Sequence, residues 1–264
     1  MKKILILLLL IPSLSWGADF EKGLTAAKQG DYATAIKEWT PLAEQGIADA
    51  QFNLGVIYEQ GYGVLQNYKT AAKWFTLAAE QGDASAQHNL GFMYQKGQGV
   101  VQNYQTAAKW YTLAAEQGFV QAQYNLGSMY RRGDGVLQND KAAVKWYTLA
   151  AEQGYATAQN SLGVMHDKGW GVVQNYQTAA KWYILAAEQG NALAQSNLGD
   201  MYAYGDGVLQ NYIYAHMWWN IAASSGHSNA AENRTKAEKK MTPADISKAQ
   251  ELARQCVNKN YKDC

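Results

Sequence analysis

A fourteen-residue pattern, LGxxYxxGxGVxQN, recurs along this chain at a fixed step. Its Leu-Gly pair stands at Leu54-Gly55 and returns at Leu90-Gly91, Leu126-Gly127, Leu162-Gly163 and Leu198-Gly199, 36 residues apart each time. The loop glycines (Gly61/Gly63, Gly97/Gly99, Gly133/Gly135, Gly169/Gly171, Gly205/Gly207) keep that step, as do Trp74, Trp110, Trp146, Trp182 and Trp218. A strict period of roughly 20–50 residues is the mark of a stacked repeat array. In such an array each unit touches only its neighbours, so chain length says little about domain count.

Five full units follow from the period: 47–82, 83–118, 119–154, 155–190 and 191–226. In the first, Ala50, Leu54, Ile57 and Tyr58 fall on one face of a helix A over Ile47–Gln60. Gly61 ends that helix with a residue free to take positive φ. Asn67 is placed to cap a helix B, whose apolar stripe is Ala71, Trp74, Phe75, Ala78 and Ala79. Each unit therefore reads as an αα-hairpin, and the fold class as all-α. Gly55 and its equivalents sit inside helix A, where glycine costs about 1 kcal/mol against alanine. Repeating that cost implies close helix–helix approach, with Ala48, Ala50, Ala72 and Ala79 expected opposite. Tyr58, Trp74 and their counterparts read as fillers of the same layer.

The ends depart from the period. Residues 1–17 read as a signal peptide: Lys2-Lys3, an apolar run from Ile4 to Leu14, and small Ser15 and Gly17 before a cut at Ala18. The apolar run is too short to span a bilayer comfortably, so no stable membrane insertion is expected after cleavage. Residues 18–46 read as an N-terminal capping hairpin, a degenerate unit in which Trp39 to Gly46 is one residue shorter than Trp74 to Gly82. Residues 227–264 read as a decayed unit and a closing helix that starts at Thr242-Pro243-Ala244-Asp245, with Ile246, Ala249, Ala253 and Cys256 on one side. The chain's two cysteines, Cys256 and Cys264, suit one local disulfide in an oxidising compartment, worth about 2.5 kcal/mol of chain entropy. Two free thiols in a frayed tail are the alternative.

With loop, glycines, tryptophan and period agreeing five times, AxAQxxLGxxYxxGxGVxQN…AxxWxxxAAEQG resembles the Sel1-like repeat family, a branch of the tetratricopeptide-type solenoids. The likeness covers most of residues 47–226, and TPADISKAQELARQC is similar to the tails of exported bacterial members. The resemblance implies a right-handed α/α superhelix of about five 36-residue helix-turn-helix repeats with degenerate caps. It also implies a scaffold for protein complexes, in signalling, envelope maintenance or host contact. A cysteine-rich branch tied to β-lactam or peptidoglycan-fragment binding carries a disulfide in each repeat. This chain has no cysteine in any repeat, so that activity does not carry over.

A formal net charge of +1 provides no clustered basic face for nucleic acid. Ser-x-x-Lys, G-x-S-x-G, His-Glu-x-x-His and GxxxxGK[ST] are absent from the sequence. His88, His166, His216 and His227 fall in four different repeat columns, and His166, in the Tyr58 column, reads as a core substitute. No catalytic, cofactor or metal site is expected, and the chain is read as a non-enzyme.

Recognition is sought instead where the repeats disagree with one another. The third, sixth, tenth and thirteenth columns of helix A vary and share one helical face. From these columns come the candidate groove residues Phe52, Val56, Glu59, His88, Phe92, Gln95, Tyr124, Ser128, Arg131, Asn160 and Val164. A face mixing aromatic, charged and polar residues suits a peptide or partner helix; neutral drift on a solvated face is the alternative. Beside it runs an asparagine ladder (Asn53, Asn89, Asn125, Asn197, broken by Ser161), suited to holding an extended peptide or to tying repeats together. Lys73, Glu80 and their equivalents read as an outer solvated stripe. Trp170, between two loop glycines, is a twelfth candidate, as an exposed hot spot. The leading expectation is an exported scaffold binding protein or peptide through the helix-A face. The others are an envelope glycan or peptidoglycan-fragment binder, with or without hydrolysis, and a passive spacer.

Overall fold

Residues 19–264 are described by a computed structural model of the chain; the signal-peptide reading of 1–17 lies outside them. Among the described residues there are fourteen α-helices and no strand. They run α1 (Phe20–Lys28), α2 (Tyr32–Glu44), α3 (Ala48–Gln60), α4 (Tyr68–Glu80), α5 (Ala84–Lys96), α6 (Tyr104–Glu116) and α7 (Val120–Arg132). There follow α8 (Asp140–Glu152), α9 (Ala156–Lys168), α10 (Tyr176–Ala187), α11 (Ala192–Tyr204), α12 (Tyr212–Ser224), α13 (Ser228–Glu238) and α14 (Pro243–Asn258). Two compact units result: residues 19–93 with 97–101, and residues 94–96 with 102–264.

The repeated motif sets each connection chemically. In the first unit Gly61 ends α3 at φ 74°, and its N–H donates to the Ile57 carbonyl. Gln66 Nε2 then donates to the Glu59 carbonyl at 2.7 Å, covering one of the carbonyls the helix end leaves open. Asn67 Oδ1 accepts from the Thr70 amide at 3.0 Å and starts α4. The second unit repeats the arrangement, with Gly133, Gly169 and Gly205 left-handed at the ends of α7, α9 and α11. The second loop glycine answers to a different constraint. A Cβ on Gly135 would lie 2.3 Å from the Tyr104 carbonyl carbon, and one on Gly171 2.4 Å from that of Asp140. Each loop thus rests on the first residue of helix B in the repeat before it.

The glycine inside helix A makes room for an aromatic ring rather than for the alanines expected opposite. A Cβ on Gly55 would lie 2.6 Å from the Phe75 ring, one on Gly127 2.8 Å from Tyr147, and one on Gly199 2.7 Å from Trp219. These rings stand one residue after the tryptophan column and are buried in every unit. The tryptophans do not form one uniform core layer: Trp74 and Trp218 are buried, while Trp110, Trp146 and Trp182 are half-buried. The entry hairpin obeys the corrected register. Trp39 belongs to the Phe75 column, 36 residues earlier, and its ring fills the space over Gly23, where a Cβ would lie 2.5 Å from Nε1. Its apparent one-residue shortening came from pairing it with the wrong column.

A polar clamp threads the core. Gln51 Nε2 donates to the Ala43 carbonyl at 2.9 Å, while its Oε1 accepts from Gln81 Nε2 at 2.7 Å. One buried amide thereby joins α2, α3 and α4. In the second unit Gln159 does the same between the Ala151 carbonyl (3.1 Å) and Gln189 (2.7 Å).

At the C-terminus, Thr242 and Asp245 form a reciprocal capping box and start α14. Ala253 and Cys256 pack with Met217, Trp218 and Ile221 in one buried cluster, while Ile246 is only half-buried. The Cys256 and Cys264 sulfurs are 2.06 Å apart, at disulfide distance. The tail they close lays Tyr261 over Gly190.

Candidate partner-binding face

Of the twelve candidates, ten are half-buried, Asn160 is buried and Trp170 is exposed. In the first unit, Phe52 leans onto Phe75 with ring centroids 5.8 Å apart. Val56 and Glu59 follow along α3, and burial holds the Glu59 carboxyl above the ordinary carboxylate range despite the bond from Gln60. On α5, His88 Nδ1 lies 3.2 Å from Asn89 Oδ1, and burial lowers the imidazole pKa. Phe92 is half-buried on the same helix.

In the second unit the face is more densely bonded. Gln95 Oε1 accepts from the Tyr111 hydroxyl at 2.9 Å, and burial pushes that phenol up. Tyr124 sits between Tyr147 (5.7 Å) and Tyr155 (5.5 Å). Ser128 bonds the Tyr147 hydroxyl, whose pKa is pushed up to about 12, chiefly by burial. Two candidates from different repeats meet directly: the Arg131 guanidinium lies over the Trp170 ring, 4.0 Å from its centroid. Trp170 stays 37% exposed.

Asn160 accepts from Asn197 Nδ2 at 3.0 Å. At this rung the asparagine ladder ties one repeat to the next instead of standing open for a peptide. Beyond it, Val164, Asp167, Tyr183, Asn197, Asp200 and Tyr204 line a cleft of about 450 Å³. Asp167 pairs with Lys168 at 2.8 Å. Asp200 Oδ1 accepts from Trp219 Nε1 (3.0 Å) and Asn233 Nδ2 (3.1 Å), and desolvation holds its carboxyl above the ordinary range. Asp200 was legible as a variable-column residue, but its role as an anchor for α12 and α13 was not.

The histidines have structural surroundings. His166 is half-buried with its pKa lowered by desolvation. His216 is fully enclosed, with Nε2 2.9 Å from Glu238 Oε1. Among the described residues no group of three or more His, Cys, Asp or Glu side chains is placed to hold a metal ion. Nor is any helix among them long and apolar enough to cross a membrane.

A family model for the Sel1 repeat matches residues 48–83, 84–119, 120–155, 156–191 and 192–227. The chain belongs to the Sel1 repeat family. Its five Sel1 repeats, all helical, make it an α/α solenoid. Among solved structures it is similar to a protective antigen present in uropathogenic Escherichia coli strains displaying an SLR fold. That likeness has 35% identity and a TM-score of 0.80, over 92% of this chain and 54% of the antigen. A Sel1 repeat protein from Oxalobacter formigenes is similar at 34% identity and TM-score 0.80, over 90% of this chain and 99% of that one. This chain thus spans about half the length of the E. coli antigen and nearly all of the Oxalobacter protein. A search of the curated proteins returned no match. Sel1 repeat proteins generally act as protein-interaction scaffolds and are generally non-catalytic.

Proposed function

We propose that this Sel1 repeat protein is an exported, non-enzymatic scaffold that holds a protein or peptide segment against its helix-A face. The observation that carries this reading is the cleft of about 450 Å³ lined by Val164, Asp167 and Asp200, three variable-column residues. Positions that vary between repeats, stay partly exposed and border a concavity are where a solenoid can specialise without disturbing its stacking. Arg131 on Trp170 adds a partly exposed aromatic anchor of the kind that concentrates binding energy.

Export is supported by the basic and apolar pattern of residues 1–17 and by a cysteine pair at disulfide distance. Export to the periplasm or the medium would bring cell-envelope components within reach as partners. Catalysis is disfavoured because the histidines are occupied in packing or enclosed, with no nucleophile–base–orienter set around them.

The reading is tested by partner capture with Arg131→Glu and Asp167→Lys, both partly exposed and outside the core. Loss of a specific partner, with helicity and melting temperature kept, is the expected result. Retention of that partner by the double variant would move the site off this face.

A further inference from the structure

The loop between helix A and helix B carries one aliphatic residue per repeat that packs against almost nothing. Leu137, Val173 and Leu209 are 89%, 88% and 90% exposed in the second unit. Leu65 and Val101 hold the same column in the first, at 92% and 88%. An isolated exposed leucine needs no explanation, but five in register at one position of an otherwise amphipathic repeat do.

In the second unit these residues share one edge. Gly135, Gly171 and Gly207 seat their loops on the first residues of α6, α8 and α10, and each aliphatic residue follows its glycine by two positions. Tyr104 and Tyr176 stand at the starts of α6 and α10, 39% and 37% exposed. Charges there balance: Arg131, Arg132, Lys141 and Lys168 stand against Asp134, Asp140, Asp167 and Asp206.

Protruding side chains separated by polar Gln-Asn pairs make a poor protein interface. Three of them, at roughly 100 Å² of apolar area each, fall well short of the about 800 Å² per partner that a standard interface buries. A lipid interface needs no matching holes: it accepts aliphatic knobs singly and holds tyrosine at headgroup level. We infer that the helix A–helix B loop edge of the second unit rests peripherally on a lipid bilayer, inserting Leu137, Val173 and Leu209. The balanced charge implies attachment to zwitterionic lipid that is insensitive to salt, rather than steering by anionic headgroups.

The test uses the full chain and its Leu137→Ser/Val173→Ser/Leu209→Ser variant, so that any contribution of residues 1–18 is common to both. Flotation with phosphatidylcholine vesicles at 0.1 and 0.5 M salt should show at least about tenfold weaker partitioning for the variant at both salts. Hydrogen exchange on the vesicle-bound wild type should slow in loops 133–139, 169–175 and 205–211. Equal partitioning of the two chains with no slowing in these loops overturns the inference. So does protection of these loops in a protein complex or self-assembly without vesicle binding, which would make the edge a protein contact. Partitioning that appears only with anionic vesicles and vanishes at 0.5 M salt also contradicts it.

Discussion

The Tyr183 ring lies where a side chain on Gly163 would stand: a Cβ there would come within 2.7 Å of Cδ1 and Cε1. The glycine is a seat cut into α9 for the ring of α10. Gly163→Ala gains about 1 kcal/mol of helix propensity but overpacks a fully buried site, which costs about 1–3 kcal/mol and more when the ring cannot shift. Taken together, a net loss of up to about 2 kcal/mol is expected in denaturant unfolding. A double-mutant cycle with Tyr183→Leu should show favourable coupling, because the smaller side chain vacates the seat. Additive single effects would mean the two residues do not share one space.

The glutamine clamp predicts a contrast between two residues that look alike in sequence. Gln159 is bonded at both ends of its amide, to the Ala151 carbonyl and to Gln189. Gln195 donates to the Ala187 carbonyl, but its buried Oε1 has no partner, because Ser225 stands where the earlier units place a glutamine. Gln159→Ala should cost about 2 kcal/mol and Gln195→Ala about 1 kcal/mol. Equal losses would remove the clamp from the account.

Asp200 predicts a stability that falls as pH rises. Burial raises its carboxyl pKa in the folded chain, so the penalty on the charged form is absent below the unfolded value of about 3.9 and grows as pH rises through the folded value. Asp200→Asn keeps the acceptor for Trp219 and Asn233 while removing the charge. The variant should melt higher than the wild type at pH 7 and equal to it near pH 3. A lower melting temperature at pH 7 would show that the charge itself holds α12 and α13.

Glu38 gives the reverse sign. Lys22 donates to its enclosed carboxylate and holds the pKa below the ordinary range. That contribution is present above the unfolded pKa and is lost as pH falls through the folded one. Lys22→Met should therefore narrow the stability difference between pH 6 and pH 3, as read from urea midpoints. An unchanged difference would place the acid sensitivity elsewhere.

Much of the fold was legible because glycine and asparagine act locally. Gly61 and Asn67 declare a helix end and a helix start from their own side chains, and both do so in the structure. The ring that fills the glycine seat was not singled out because Trp74 and Phe75 are adjacent, both apolar, and about 100° apart around the helix. Periodicity does not say which of them faces the partner helix; the glycine opposite does. Gln51 was passed over because amphipathic patterns count apolar residues, though its unbroken return at Gln87, Gln123, Gln159 and Gln195 was the signal. The exposed aliphatic column hid for the converse reason: alternation of leucine and valine made it look like a free position inside the motif. On the candidate face, Arg131 and Trp170 lie 39 positions apart in sequence and meet only because successive loops stack.

Whether the helix-A face of the second unit holds a protein partner is decided by photocrosslinking from single positions. A photoreactive residue at Ser128 or Val164 on that face, and at Lys145 or Glu152 on the exposed outer stripe, samples both sides under identical conditions. One adduct of the same partner is expected from both face positions, abolished by Arg131→Glu and Asp167→Lys, and none from the outer stripe. Adducts from the outer stripe alone, or adducts at the face that survive the charge reversals, would contradict that placement.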